Sequence, residues 1–149
     1  MRAVLQRTAW ARVKVEDKIV GEIGRGVLLL LGINTGDGKK EFEYMLDKSI
    51  NLRIFEDEND KMNLSVKDID GGLLIVPNFT IYADARKGRR PSFAMGAKPD
   101  EAEEIFNEFV EYAKSIFPKT ESGIFKADMK VELLNDGPIT ILLDSDKKF

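Results

Sequence analysis

Val27-Leu28-Leu29-Leu30-Leu31-Gly32-Ile33 is apolar at every position, and the reading of this stretch decides the fold. A strand with one wet face alternates apolar and polar residues, so an unbroken run of this length reads as a central strand covered on both faces. Upstream of it, Arg2 to Thr8 alternates and ends near Trp10, which predicts an opening strand. Arg12 to Glu16, with Val13 and Val15 on one face, predicts a second, and Asp17-Lys18 turns into a third at Ile19 to Ile23. Gly24-Arg25-Gly26 is the turn that feeds the central run. Downstream, Asn34 to Gly38 is a loop in which Asp37 can cap a helix at Lys39 to Asn51, whose Phe42, Met45, Leu46 and Ile50 share one face.

The remaining chain continues the pattern. Short strands are expected at Leu52 to Phe55 and Met62 to Val66 around a charged turn, and a buried strand at Leu73 to Val76 is ended by Pro77. Pro99 suits the first position of a helix, with Asp100 and Glu101 in its first turn and an apolar stripe from Ala102 to Ala113. Strands are expected near Glu121 to Phe125, Met129 to Leu134 and Ile139 to Leu143, with Gly137-Pro138 as the turn between the last two. The elements add up to an α/β arrangement of mixed sheets with two main helices on one side, without linker or repeat.

Composition bounds the function. The 149 residues, 43% hydrophobic and 33% charged, predict one domain over residues 1–149 that buries about two-thirds of its unfolded surface. No run approaches the roughly 18 apolar residues of a membrane span, and Met1 to Arg7 lacks a secretory apolar stretch, so a cytoplasmic protein is expected. The chain has no His and no Cys. That excludes a Ser-His-Asp triad, an imidazole base, a thiolate nucleophile and a His or thiolate metal site. Carboxylate, Lys, hydroxyl, amide and backbone chemistry remain, and neither metal nor cofactor is expected. A net charge of −3 argues against a general nucleic-acid coat but leaves room for a local basic patch.

Candidate constellations follow from these limits. Glu56 to Lys61 fails the calcium-loop pattern, because Lys61 and Met62 stand where an oxygen ligand and Gly belong. Arg86-Lys87-Gly88-Arg89-Arg90 puts four cations in five positions, as a solvated loop or as a phosphate contact with Phe93 nearby for stacking. Asn78-Phe79-Thr80 follows a buried strand directly, where sites are commonly placed, yet Thr80 without a base is a poor nucleophile. Asn135 to Thr140 reads by itself as a hairpin turn.

Taken together, several long stretches resemble the D-aminoacyl-tRNA deacylases, the D-Tyr-tRNA deacylase family. They are MRAVLQR from Met1, GEIGRGVLLLLGI from Gly21, NLRIFEDENDKMNLSVKD from Asn51, FTIYADARKGRRPSF from Phe79 and GIFKADMKVELLNDGPITILLDS from Gly123. The family motif Asn-X-Gly-Pro-Val-Thr is matched by Asn135 to Thr140, with Ile139 for Val. The motif Ser-Gln-Phe-Thr-Leu is matched in part, with Pro77, Asn78 and Ile81 replacing Ser, Gln and Leu.

The resemblance implies a three-layer β/β/α fold, a homodimer, and hydrolysis of the ester joining a D-amino acid, or misplaced glycine, to the 3′ end of tRNA. It implies a Gly137-Pro138 cis peptide that enters the partner's pocket and holds the substrate's α-amino group. Phe125, Ala127 and Met129 correspond to the pocket for the terminal adenine. Asn78, Phe79 and Thr80 form the catalytic segment, and with tRNA as the substrate the loop cations Arg86, Lys87, Arg89 and Arg90 are read as its phosphate contact. Pro77 and Asn78 leave two alternatives, a deacylase of the type that removes L-alanine and a non-catalytic module that binds the tRNA end.

Overall fold

In the computed structural model, which describes residues Met1 to Phe149, the chain runs β1 (Arg2–Val15), β2 (Lys18–Ile23), β3 (Gly26–Gly32), α1 (Lys39–Asn51), β4 (Phe55–Glu56), β5 (Met62–Leu64) and β6 (Gly72–Pro77). A 3-10 turn (Phe79–Tyr82), α2 (Pro99–Ile116), β7 (Thr120–Ser122) and β8 (Met129–Asp144) complete it. The apolar run is β3, at the middle of a six-stranded sheet ordered β2-β1-β3-β6-β7, with β8 on the other edge of β1. β3, β6 and β7 are parallel, whereas β1 pairs antiparallel with β2, β3 and β8. β4 and β5 form a separate ribbon.

Alternate residues of β3 enter two different cores. Val27, Leu29 and Leu31 pack with Ala3, Leu5, Leu73 and Ile75 against Phe42, Met45, Phe106 and Phe109 of the two helices. Leu28 and Leu30 point the other way, toward Ala11, Val13, Ile23, Leu74 and Val76, with Val131 and Leu133 of β8 covering them. The first half of β1 therefore belongs to the helix-facing core and its second half to the core between sheet layers. β1 crosses between layers near Thr8 to Trp10, where its register against β8 shifts. This is the expected three-layer β/β/α arrangement, built from one sheet that folds over itself.

Several expected boundaries change. The two opening strands are one, because β8 offers β1 a partner along its whole length. The last two strands are likewise one. Gln6 pairs with Thr140 and Thr8 with Asn135, so two steps on β1 face five on β8, and Asp136 to Ile139 is looped out sideways. Gly137-Pro138 thus marks a bulge and not a hairpin turn. β7 stops at Ser122 and leaves residues 123–128 as a loop, and β5 stops at Leu64. Asp37 does not cap α1, which starts after Gly38. Its carboxylate instead accepts the Asn34 N–H and the Met1 ammonium, both at 2.7 Å.

Phe109 is fully buried and meets Phe42 edge to face at 5.5 Å, tying the helices to each other above the sheet. Phe109→Ala is expected to lower unfolding stability by about 3–5 kcal/mol, read from urea denaturation, with the far-ultraviolet signature of the fold retained.

Candidate active site

The parallel strands β3, β6 and β7 end side by side, and in such sheets ligands bind beyond the carboxyl ends. β6 ends at Pro77, opposite Leu31. The N–H that proline lacks falls on the β7 side of the strand, the side on which Leu73 donates to the Lys119 carbonyl. Asn78 closes the pairing with an N–H bond of 2.8 Å to the Leu31 carbonyl. The chain then enters the 3-10 turn with Asn78 at its head. The Asn78 Oδ1 accepts the Thr80 N–H at 3.2 Å and the Thr80 hydroxyl. Four groups are thereby committed: the Asn78 N–H, the Asn78 Oδ1, the Thr80 N–H and the Thr80 hydroxyl. The Asn78 Nδ2 and the Phe79 N–H make none of these bonds.

A cleft of about 560 Å³ opens at this point. Pro77, Asn78 and Phe79 form one side, Phe125, Ala127 and Met129 a second, and Phe93 with Pro99 and Ala102 of α2 a third. The loop carrying Phe125 is tied to β6 by Gly123, which donates its N–H to the Ile75 carbonyl at 2.9 Å. A Cβ there would stand 2.7 Å from the Met129 sulfur. Five of the predicted residues (Asn78, Phe79, Phe125, Ala127 and Met129) therefore line one mostly apolar cavity. Thr80 does not line it, and neither do Gly137 and Pro138.

Gly137 and Pro138 sit on the bulge of β8, both exposed, with the peptide bond between them cis. The bulge is braced from behind by a residue that the sequence reading passed over. Arg7 is 4% exposed and donates from Nε to the Asp136 carbonyl at 3.0 Å. Its Nη1 donates to the Ile54 carbonyl at 2.7 Å and to Glu56 Oε1 at 2.8 Å. The guanidinium holds the Glu56 carboxyl below its ordinary range. Asn135 adds a second brace, its Nδ2 donating to the carbonyls of Arg7 (2.9 Å) and Ile139 (3.1 Å). A signal for Arg7 was present in the sequence: it occupies the inward position after Ala3 and Leu5 in an alternating strand. A buried arginine demands partners.

The basic loop is a closed loop and not a free one. Asp84 and Ser92 exchange backbone hydrogen bonds of 2.8 and 2.9 Å across its base. Arg86 folds back on Asp84 with contacts of 2.8 and 2.7 Å, which push the Asp84 carboxyl far down and Arg86 up. Lys87, Arg89 and Arg90 have no carboxylate partner, so three of the four cations are free. The loop returns through Phe93, whose ring meets Phe79 edge to face at 5.4 Å, so it adjoins the cleft. No group of three His, Cys, Asp or Glu side chains is placed to hold a metal. No helix is long and apolar enough to cross a membrane.

Comparison with known proteins identifies the family. The family model described as D-Tyr-tRNA(Tyr) deacylase matches residues 4–144. The chain is 55% identical over 149 residues to a D-aminoacyl-tRNA deacylase of Thermosipho africanus (strain TCF52B) and 53% identical to that of Clostridioides difficile (strain 630), covering all of both proteins in each case. A solved structure titled c-Myc DNA Unwinding Element Binding Protein superposes with a TM-score of 0.90 at 39% identity, covering 97% of this chain and 98% of that one. A probable eukaryotic D-amino acid tRNA deacylase shares the fold, with a TM-score of 0.78 at 17% identity over 95% of this chain and 97% of that one. A three-layer hydrolase fold with a cleft at its parallel strand ends is thus the class. The chain belongs to the D-Tyr-tRNA(Tyr) deacylase family.

The Arg7 brace generates a stability prediction. Arg7→Lys keeps the charge but cannot reach all three acceptors, so it is expected to cost about 3 kcal/mol in urea unfolding. Amide exchange should rise first at residues 136–139.

Proposed function

We propose that this protein is a D-aminoacyl-tRNA deacylase, hydrolysing the ester between a D-amino acid and the 3′-terminal adenosine of tRNA. Free D-amino acid and uncharged tRNA are the products, and glycine misplaced on tRNA is removed in the same way. The observation that carries this reading is the meeting of Asn78, Phe79, Phe125, Ala127 and Met129 in one cleft, within a chain of the deacylase family.

In this reading the adenine lies among Phe125, Ala127 and Met129, and the ester carbonyl lies at the head of the 3-10 turn. Water attacks the acyl carbon, the bond from that carbon to the ribose oxygen breaks, and the ribose oxygen leaves with a proton. The charge that develops on the carbonyl oxygen is met by the Phe79 N–H and the Asn78 Nδ2, the two donors there that the turn leaves uncommitted. Asn78 can do this from a shorter arm than the family's Gln because its Oδ1 is fixed by Thr80, which aims the Nδ2. Thr80 is then a positioning residue. Aminoacyl esters are activated, and the neighbouring ribose hydroxyl of the substrate takes part in the proton transfer, so the lack of His is tolerable. No metal or cofactor enters the scheme.

Chirality is read by Gly137 and Pro138. They lie outside the cleft of their own chain, so they act in the cleft of a second copy, and the working unit is a homodimer. Trp10 and Leu134 support this. They are cross-strand partners beside the bulge and remain 39% and 53% exposed, an apolar surface suited to a partner. Backbone carbonyls of the bulge hold the α-ammonium, and the backbone itself occupies the place where an L side chain would project. A D side chain points away and is not examined, and glycine has none. Lys87, Arg89 and Arg90, with Arg86 steadied by Asp84, contact the tRNA phosphates. Such an enzyme acts where tRNA is charged, in the cytoplasm, as a chiral proofreading step. Pro77 ends the strand and Asn78 caps the turn without closing the cleft, so neither substitution favours an L-alanine substrate or a non-catalytic module.

Single-turnover assays on D-Tyr-tRNA, L-Tyr-tRNA and Gly-tRNA test the reading. D-Tyr-tRNA and Gly-tRNA should be cleaved and L-Tyr-tRNA spared, while comparable rates on the two tyrosyl isomers would sink it. Asn78→Asp keeps the oxygen that caps the turn and removes the Nδ2 donor. Its rate should fall about a hundredfold or more, the effect of losing one oxyanion donor worth about 2.7–4 kcal/mol. An Asp variant as fast as the parent would remove the Asn78 amide from the mechanism.

A further inference from the structure

Two walls of the cleft are joined by a lysine that the reaction scheme does not use. Lys126 lies in the loop between β7 and β8, in the left-handed region at a φ of 61°, and lines the cleft. Its Nζ reaches Asp100 Oδ1 at 2.8 Å and Glu103 Oε2 at 2.7 Å, both in the first turns of α2. Lys126 therefore spans from the wall of Phe125, Ala127 and Met129 to the wall of Pro99 and Ala102.

The α2 wall is held independently. Glu101 accepts the Gly36 N–H at 3.2 Å and the Thr35 hydroxyl at 3.3 Å, and the Ala97 N–H donates to the Ile33 carbonyl at 3.1 Å. The loop wall is held at its start by Gly123 and in its middle by Phe125, whose ring packs on Phe106 at 5.8 Å. Beyond Phe125 its ties to α2 are the two ion pairs of Lys126.

We infer that Lys126 is an ionic latch that sets the width of the adenosine pocket by fixing residues 125–128 to the first turns of α2. It is a positioning residue. One ammonium shared by two carboxylates forms a small network, which holds better than the isolated exposed pair whose contribution is close to nothing. Both partners bind the lysine and not the ligand, so the latch governs how well the nucleoside is gripped and leaves the reacting ester alone.

The inference rests on the deacylase reading, and the experiment separates the two. The substrate is D-tyrosyl-adenosine, an ester without phosphates, so the basic loop does not contribute to its salt dependence. Lys126→Met should raise KM about three- to tenfold with kcat within twofold of the parent. Lys126→Arg should restore KM, and Asp100→Asn with Glu103→Gln should reproduce the Met variant. Raising salt from about 0.05 to 0.5 M should raise the KM of the parent and leave that of the Met variant flat, because salt screens exposed pairs. A Met variant with the parental KM would overturn the latch, as would a kcat and Tm that fall together without a change in KM. A parent with no turnover would sink the deacylase reading instead. Adenosine affinity measured by calorimetry on parent and Met variant would then decide the latch: equal affinities overturn it, and a three- to tenfold loss in the variant upholds it.

Discussion

The parallel register of β3 against β6 fixes where Pro77, Asn78 and Phe79 reach the cleft. Gly26 pairs with Gly72 at one end and Leu31 with Pro77 at the other. The first pair sets the spacing, because a Cβ on Gly26 would fall 2.1 Å from the Gly72 carbonyl oxygen. At the last pair the proline has no N–H to offer the β7 side, where Leu73 donates to the Lys119 carbonyl. Asn78 then makes the final bond to Leu31, and the next residues turn away from the sheet. A shift of one residue would exchange the faces of β6 and carry Asn78 and Phe79 out of the cleft.

With imidazole and thiol absent, the chemistry of the site is set by which hydrogen-bonding groups the fold leaves free. The 3-10 turn uses the Asn78 oxygen and the Thr80 N–H for its own stability and leaves the Asn78 NH₂ and the Phe79 N–H out of that bonding. Such donors are fixed before any ligand arrives and need no change of protonation near neutral pH. At the basic loop Asp84 likewise fixes the Arg86 side chain and, with Ser92, closes the loop at its base, leaving Lys87, Arg89 and Arg90 without a carboxylate partner.

The bulge of β8 shows how a polar demand inside a sheet becomes a structural support. Arg7 points inward where Ala3 and Leu5 do, so its guanidinium must be satisfied within the protein. It is satisfied by the bulge and the β4–β5 ribbon together: Asp136, Ile54 and Glu56. Four residues that leave the ladder are thus held from behind while Gly137 and Pro138 project outward.

Much of this was readable in the chain. The run from Val27 fixes a strand buried on both faces, since nothing polar in it could meet water. The stripe of Phe42, Met45, Leu46 and Ile50 fixes α1 to its residue boundaries, and Pro99 fixes the start of α2. The absence of His and Cys fixes what the chemistry excludes, and the long motifs fix the family. Other features depend on groups distant in sequence. Whether Asn135 to Thr140 is a hairpin or a bulge depends on β1 lying alongside over its whole length. Whether Asp37 caps α1 depends on the Met1 ammonium and Asn34 claiming its carboxylate. Which of the four cations in the basic loop are free, and which atom of the Asn78 carboxamide is taken by Thr80, depend on hydrogen bonds made after the chain has folded. Local periodicity records which side chains must leave water, so the sequence determined the elements and their buried faces. Polar groups choose among several partners of similar strength, and only the tertiary structure decided which of them came within reach.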